Sequence, residues 1–135
     1  MGDIARLLVL AMLGGTLAGC SVKQMAVNVL GDALSGGTGV YASDNDPELI
    51  LVAIPFGLKT YESLLDVSPN HRGLLLSAAN GFTAYAYLLQ NKSELIEASD
   101  LAQSRALRGR ARNLYLRGRD YALRGIAVAH EGYED

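Results

Sequence analysis

Apolar positions recur along this chain at helical rather than strand spacing. In Val22 to Leu34 they fall at Val22, Met25, Val29, Leu30 and Leu34, with Ala26, Val27 and Ala33 around them. That spacing predicts a helix of roughly three turns, stopped by Ser35-Gly36-Gly37. Gly36 to Asp46 is rich in Gly, Ser, Asn and Asp and reads as a loop. Asp46-Pro47-Glu48 is a stronger start signal: a capping carboxylate, a proline suited to the first turn, and an acid that complements the helix dipole. Apolar residues then run through Leu49, Ile50, Val52, Ala53, Phe56, Leu58, Tyr61, Leu64 and Leu65. Pro55 lies inside this run and removes one helical hydrogen bond. It implies either a kink near Leu51 to Ile54 or a new helix starting at Pro55.

Asp66-Val67-Ser68-Pro69-Asn70 reads as a turn joining antiparallel helices. Leu74 to Leu89 predicts the next helix, with Leu75, Ala78, Ala79, Phe82, Ala86 and Leu89 along one side, and Gly81 leaves room for a close neighbour. Asn91-Lys92-Ser93 reads as a break, and Ser93 with Glu94 and Glu97 as a fresh helix start. Helical spacing continues to His130, with a change of direction expected around Gly109. Leu-Arg-Gly recurs at 107–109, 116–118 and 123–125. The last two copies place Gly118 and Gly125 on nearly one face, a stripe without side chains suited to tight packing. The final Gly132-Tyr133-Glu134-Asp135 lacks periodicity and is expected to fray.

Composition sharpens this to an all-α fold. Half of the 135 residues are apolar, Leu and Ala outweigh Val and Ile, and tryptophan is absent, which favours helices over strands. The net charge is −2, but its distribution is uneven. Between Arg105 and Arg124 stand seven arginines against the single Asp120. Arg105, Arg108, Arg112 and Arg119 share one side of a helix by their spacing. They form either a solvated face or a partner-docking stripe. Nucleic acid is a poor partner for them, since no recognition motif accompanies the charge.

The N-terminus carries the most specific motif. Met1 to Arg6 is a charged start, Leu7 to Leu17 an apolar stretch, and Ala18-Gly19 place small residues before Cys20, the single cysteine. The order is that of an export signal. Leu17-Ala18-Gly19-Cys20 resembles a bacterial lipobox, which implies cleavage before Cys20 and a diacylglycerol on its sulfur. Residues 1–19 are then a signal peptide and 20–135 the mature domain. The apolar stretch is shorter than the roughly 20 residues a membrane span needs. Acylation of Cys20 holds the protein to a membrane without crossing it and removes the thiol from disulfide, metal or catalytic use.

No catalytic constellation is visible. His71 and His130 lack ligand-spaced partners and read as solvated or capping residues. No glycine-rich phosphate loop or nucleophile motif is present, so no enzyme activity, cofactor or metal is expected. Phe82, Tyr85, Tyr115 and Tyr121 fall on helices expected to pack together. Such residues serve cores and binding surfaces alike.

Leu58 to Asn70 resembles the second helix of a tetratricopeptide repeat running into its Pro-Asn turn, and Leu75 to Tyr87 the first helix of the next, with Ala78, Gly81 and Tyr85 at small and aromatic positions. Stacked repeats bury each other's apolar faces. A wider resemblance joins the lipobox, Asp46-Pro47-Glu48-Leu49, Ile54-Pro55-Phe56, Glu62-Ser63-Leu64-Leu65, Gly81-Phe82-Thr83-Ala84-Tyr85-Ala86 and Arg112 to Tyr121. Together these resemble the T component associated with TRAP transporters, over nearly all of residues 17 to 126. The resemblance implies a periplasmic lipoprotein of antiparallel, tetratricopeptide-like helix pairs. It implies a substrate-binding P component as partner, help in the uptake of organic ligands, and binding rather than catalysis. Phe82, Tyr85, Arg112, Tyr115, Arg119 and Tyr121 are the candidate partner- or ligand-binding residues. Ser21, in place of an aspartate after the cysteine, implies sorting to the inner leaflet of the outer membrane. Members of the family continue well beyond the equivalent of Tyr121, so the resemblance also implies a C-terminally incomplete domain. A homo-oligomer is left open. The alternative is a tetratricopeptide-like lipoprotein that scaffolds an envelope complex unrelated to transport.

Overall fold

A computed structural model describes residues 22–36 and 43–130. Cys20, the signal peptide, most of the Gly36–Asp46 loop and the C-terminal tail lie outside the described residues. Within them are four long helices and no strand: α1 (residues 22–35), α2 (Pro47–Val67), α3 (Arg72–Ile96) and α4 (Leu101–Ala129). The all-α reading therefore stands.

Helix α2 starts where the sequence implies. Asp46 Oδ1 accepts from the amides of Glu48 and Leu49, both at 3.0 Å, and satisfies two of the unpaired donors of the first turn. Pro55 stands inside a single helix rather than at a new start. The helix tolerates it because Ile50, Ile54, Leu58 and Leu65 on either side are buried, and tertiary packing outweighs one missing amide. The turn at 68–71 reverses the chain. Gly81 meets Leu58, and these residues are equally distant from the turn, so α2 and α3 run antiparallel.

His71 caps α3, its Nδ1 accepting from the Leu74 amide at 3.2 Å. A nitrogen that accepts carries no proton, so Nε2–H faces the Asn28 carbonyl at 3.2 Å and Asp32 at 3.3 Å on α1. Ser68 Oγ lies 2.7 Å from Asn28 Oδ1. These contacts seat α1 on the α2–α3 turn.

Two boundaries correct the sequence reading. Asn91-Lys92-Ser93 does not break the chain, and α3 continues to Ile96. Ser93 is wholly buried and its hydroxyl donates to the Gln90 carbonyl at 2.6 Å. A serine satisfied in that way is a helix residue, not a cap. The real start is Asp100, whose carboxylate accepts from the Gln103 amide at 2.9 Å. Glu94 and Glu97 consequently lie at the C-terminal end of α3, where the dipole disfavours them. An ion pair from Glu97 to Arg108 offsets this. The change of direction expected at Gly109 is absent as well, since α4 is one helix of 29 residues.

The core joins α2, α3 and α4. Leu74, Leu75, Ala78, Phe82, Tyr85 and Leu89 of α3 form one buried cluster with Ile50, Ile54, Leu58 and Leu65 of α2 and Ala111 of α4, and Leu107, Leu114 and Tyr121 of α4 pack alongside. The glycine stripe serves the α3–α4 contact. A Cβ on Gly118 would stand 2.8 Å from Thr83 Oγ1 and 3.1 Å from the Ala79 carbonyl, while Gly125 has ordinary clearance from Leu75 at 3.6 Å. Ala111 extends the stripe by one further heptad, so small residues at 111, 118 and 125 let α4 lie close along α3.

Candidate functional site

Two concave surfaces flank α3. The larger is a groove of about 700 Å³ between α2 and α3. Ile50, Ile54, Leu58 and Tyr61 form one wall, and Gly81, Ala84, Tyr87 and Leu88 the other. The groove exists because small residues occupy facing positions: Gly57 on α2, and Ser77, Gly81 and Ala84 on α3. Polar groups reach it from Asp44, Asn45 and Asn80. A mostly apolar cleft of this size, with few polar groups, suits a small organic molecule or apolar side chains. Among the described residues no group of three or more His, Cys, Asp or Glu side chains could hold a metal ion.

On the other side of α3, α4 carries its arginines in two sets. Arg110, Arg117 and Arg124, seven residues apart, each precede a member of the small-residue stripe. Their guanidinium groups lie over the rings of Tyr85 at 5.4 Å, Phe82 at 4.8 Å and Tyr121 at 5.4 Å. Arg110 also donates to the Tyr85 hydroxyl at 3.1 Å, and Arg124 to the Pro69 carbonyl at 3.0 Å. Phe82 and Tyr121 stack with centroids 5.5 Å apart. The Arg110–Tyr85 and Arg117–Phe82 cation–π pairs and the Phe82–Tyr121 stack cross from α4 to α3 and hold the two in register, while Arg124 covers Tyr121 within α4.

Glu62 gathers this layer to α2. Its carboxylate accepts from Lys59 Nζ and from the Tyr121 hydroxyl, each at 2.7 Å, and pairs with Arg117. Burial would raise the Glu62 carboxyl, but the Lys59 and Tyr121 hydrogen bonds and the Arg117 charge outweigh it and hold the group below its ordinary value. The Tyr121 hydroxyl is raised by burial and by its bond to the Glu62 anion.

The sequence-derived candidates therefore divide. Phe82 is 2% exposed and Tyr85 7%, and both lie in the core with the half-buried Tyr121. Arg112 and Tyr115 come together at a shallow depression of about 290 Å³, beside Gln90, Glu94, Arg108 and Leu116. The Tyr115 hydroxyl donates to Gln90 Oε1 at 3.2 Å. Arg119 is exposed and pairs with its neighbour Asp120 at 2.7 Å. Arg105 and Arg112 are exposed with no ion-pair partner among the described residues. The roles of Glu62 and of Arg110, Arg117 and Arg124 escaped the sequence reading, although the Leu-Arg-Gly echo marks two of these arginines. Cys20 lies outside the described residues.

Comparison with known proteins adds a family. Residues 43–135 match the model of the TRAP transporter T-component family. An uncharacterized protein of Treponema pallidum (strain Nichols) is 30% identical over 131 residues, an alignment that covers 86% of this chain and 41% of the relative. This chain thus spans less than half the length of that relative. No solved structure matches.

Proposed function

We propose, from the premise that this chain belongs to the TRAP transporter T-component family, that it docks a transporter's substrate-binding P component and assists the uptake of organic ligands. The observation that carries this reading is the family match over residues 43–135. Membership ties the chain to TRAP transporters. Cleavage before Cys20 and acylation of its sulfur place the mature protein in the periplasm on a lipid anchor, with Ser21 directing it to the inner leaflet of the outer membrane. No helix among the described residues is long and apolar enough to cross a membrane.

The outer face of α4 docks the P component. Arg105, Arg112 and Arg119 are its charged groups, and Tyr115 adds an amphipathic contact beside Arg112. Phe82, Tyr85 and Tyr121 act from beneath by holding α4 in place. The α2–α3 groove offers apolar room for an organic ligand.

Binding of the full acylated chain, in detergent micelles, to the immobilised cognate P component tests the reading. Charge steering acts mainly on association and fades with salt. The double variant Arg112→Glu, Arg119→Glu is expected to associate roughly tenfold more slowly at low salt. It should converge on the wild type at high salt while keeping its helix content. Failure of the wild type to bind at low salt would hand the protein to the scaffold reading.

A further inference from the structure

Helix α1 turns a large part of its apolar surface away from the domain. A surface helix ordinarily turns its apolar stripe to the core and its polar side to water. In α1 the polar and small residues Asn28, Gly31 and Ser35 face the domain beside the half-buried Val27 and Leu34. Asn28 meets Ser68 and His71, Gly31 packs on His71 and Leu74, and Ser35 packs on Gly73. These positions share one face by their spacing of three and four. A different face carries Val22, Met25 and Val29, spaced in the same way, and they are 65%, 69% and 63% exposed. Leu30 and Ala26 border them, also exposed. Gly31 lets α1 sit close on the domain, because a side chain there would stand 2.9 Å from His71 Nε2 and 3.0 Å from Leu74. With this seating, the Val22, Met25 and Val29 side chains stay exposed.

We infer that the Val22–Met25–Val29 face of α1 lies in the bilayer–water interface and sets the orientation of the domain on its membrane. The inference rests on the acylation of Cys20 proposed above. With Cys20 acylated, only Ser21 separates the lipid from Val22. One residue spans at most roughly 3.6 Å, so the first turn of α1 cannot leave the membrane surface. What it presents there is Val, Met and Leu, flanked by Lys23, whose long stem suits the headgroup level. An apolar face pressed to a bilayer by a neighbouring acyl chain is buried at little additional entropic cost, since the tether has already localised it.

Val29→Cys in the acylated protein supplies the test. The Cys20 sulfur is then a thioether, so the new thiol alone takes an environment-sensitive fluorophore. Val29 is exposed, so the substitution spares the core, and circular dichroism checks the fold. Met25→Cys serves as a second probe and Lys92→Cys, exposed on α3, as the aqueous reference. The protein is reconstituted into vesicles of phosphatidylethanolamine and phosphatidylglycerol. Labels at 25 and 29 should shift to the blue, resist aqueous iodide and lose most of their emission to brominated acyl chains. The label at 92 should behave oppositely. Quenching of the 25 and 29 labels by iodide, with none by brominated lipid, in protein that is acylated and floats with vesicles, overturns the inference alone. Labels shielded from both quenchers assign the face to a second copy of the chain and overturn it too. An intact mass without acyl chains overturns the lipidation and the inference together.

Discussion

Replacing Glu62 with glutamine tests whether a single carboxylate fastens α2 to the α3–α4 layer. Glu62 accepts from Lys59 and Tyr121 at 2.7 Å and pairs with Arg117. Glutamine keeps one acceptor oxygen but sets an amide donor against these donors and removes the charge. The two ion pairs are worth little, because the Lys59 and Arg117 side chains are 71% and 48% exposed; roughly 0.5 kcal/mol is assigned to them together. The sheltered, charge-assisted Tyr121 bond is worth about 1.5 kcal/mol. Glu62→Gln should then cost about 2 kcal/mol at neutral pH, a fall of roughly 8 °C in the melting midpoint. The pH dependence has a definite sign. The folded carboxyl is held below its ordinary value of 4.5, so its contribution is complete above that value and is lost as pH falls through the folded value. Urea unfolding followed by circular dichroism, at neutral pH and near pH 3, should show the gap between wild type and variant closing in acid. A variant as stable as wild type at neutral pH, or a gap unchanged in acid, would refute the reasoning. In alkali the raised Tyr121 works the opposite way: its contribution is complete below the ordinary phenol value of 10.0 and is lost as pH rises through the folded value.

Two glycines of α4 should respond oppositely to alanine. Gly118→Ala drives a Cβ against Thr83 and the Ala79 carbonyl and should destabilise by about 1–3 kcal/mol despite the better helix former, whereas Gly109→Ala meets nothing within 4 Å and should stabilise by about 1 kcal/mol; equal thermal shifts would contradict the close approach. Ser104 is wholly buried and its hydroxyl has no hydrogen-bond partner among the described residues. Ser104→Ala should therefore raise stability by about 1 kcal/mol, and a loss in urea unfolding would show that the hydroxyl is satisfied in solution.

The start of α2 was legible because Asp46, Pro47 and Glu48 act locally, and a cap operates through its own next turn. The small-residue face of α4 was legible through Gly118 and Gly125, where glycine's cost inside a helix implies a compensating neighbour. Sequence pattern alone puts a boundary at Ser93, because a buried serine that bonds back to its own helix has the same sequence signature as a cap. Ser93's burial and its bond to the Gln90 carbonyl distinguish it from Asp100, whose carboxylate accepts from the Gln103 amide. Spacing places Arg105, Arg108, Arg112 and Arg119 on one side, but ring partners 25 and 35 residues away hold down Arg110 and Arg117 instead. Arg117 over Phe82 and Arg110 over Tyr85 are tertiary facts. Glu62 was invisible for the same reason, since Tyr121 lies 59 residues further along the chain.

The claim that the outer face of α4 docks a P component is tested most directly by photocrosslinking from that face. Arg112→p-benzoylphenylalanine places a reactive ketone beside Tyr115 in the depression between α3 and α4, and the same residue at exposed Ser63 on α2 serves as the comparison. The acylated protein is irradiated with the cognate P component at low salt. The account predicts a P-component adduct from position 112, lost at high salt, and little or none from position 63. An adduct from position 63 with none from 112, or none from either in a pair that binds, would contradict it.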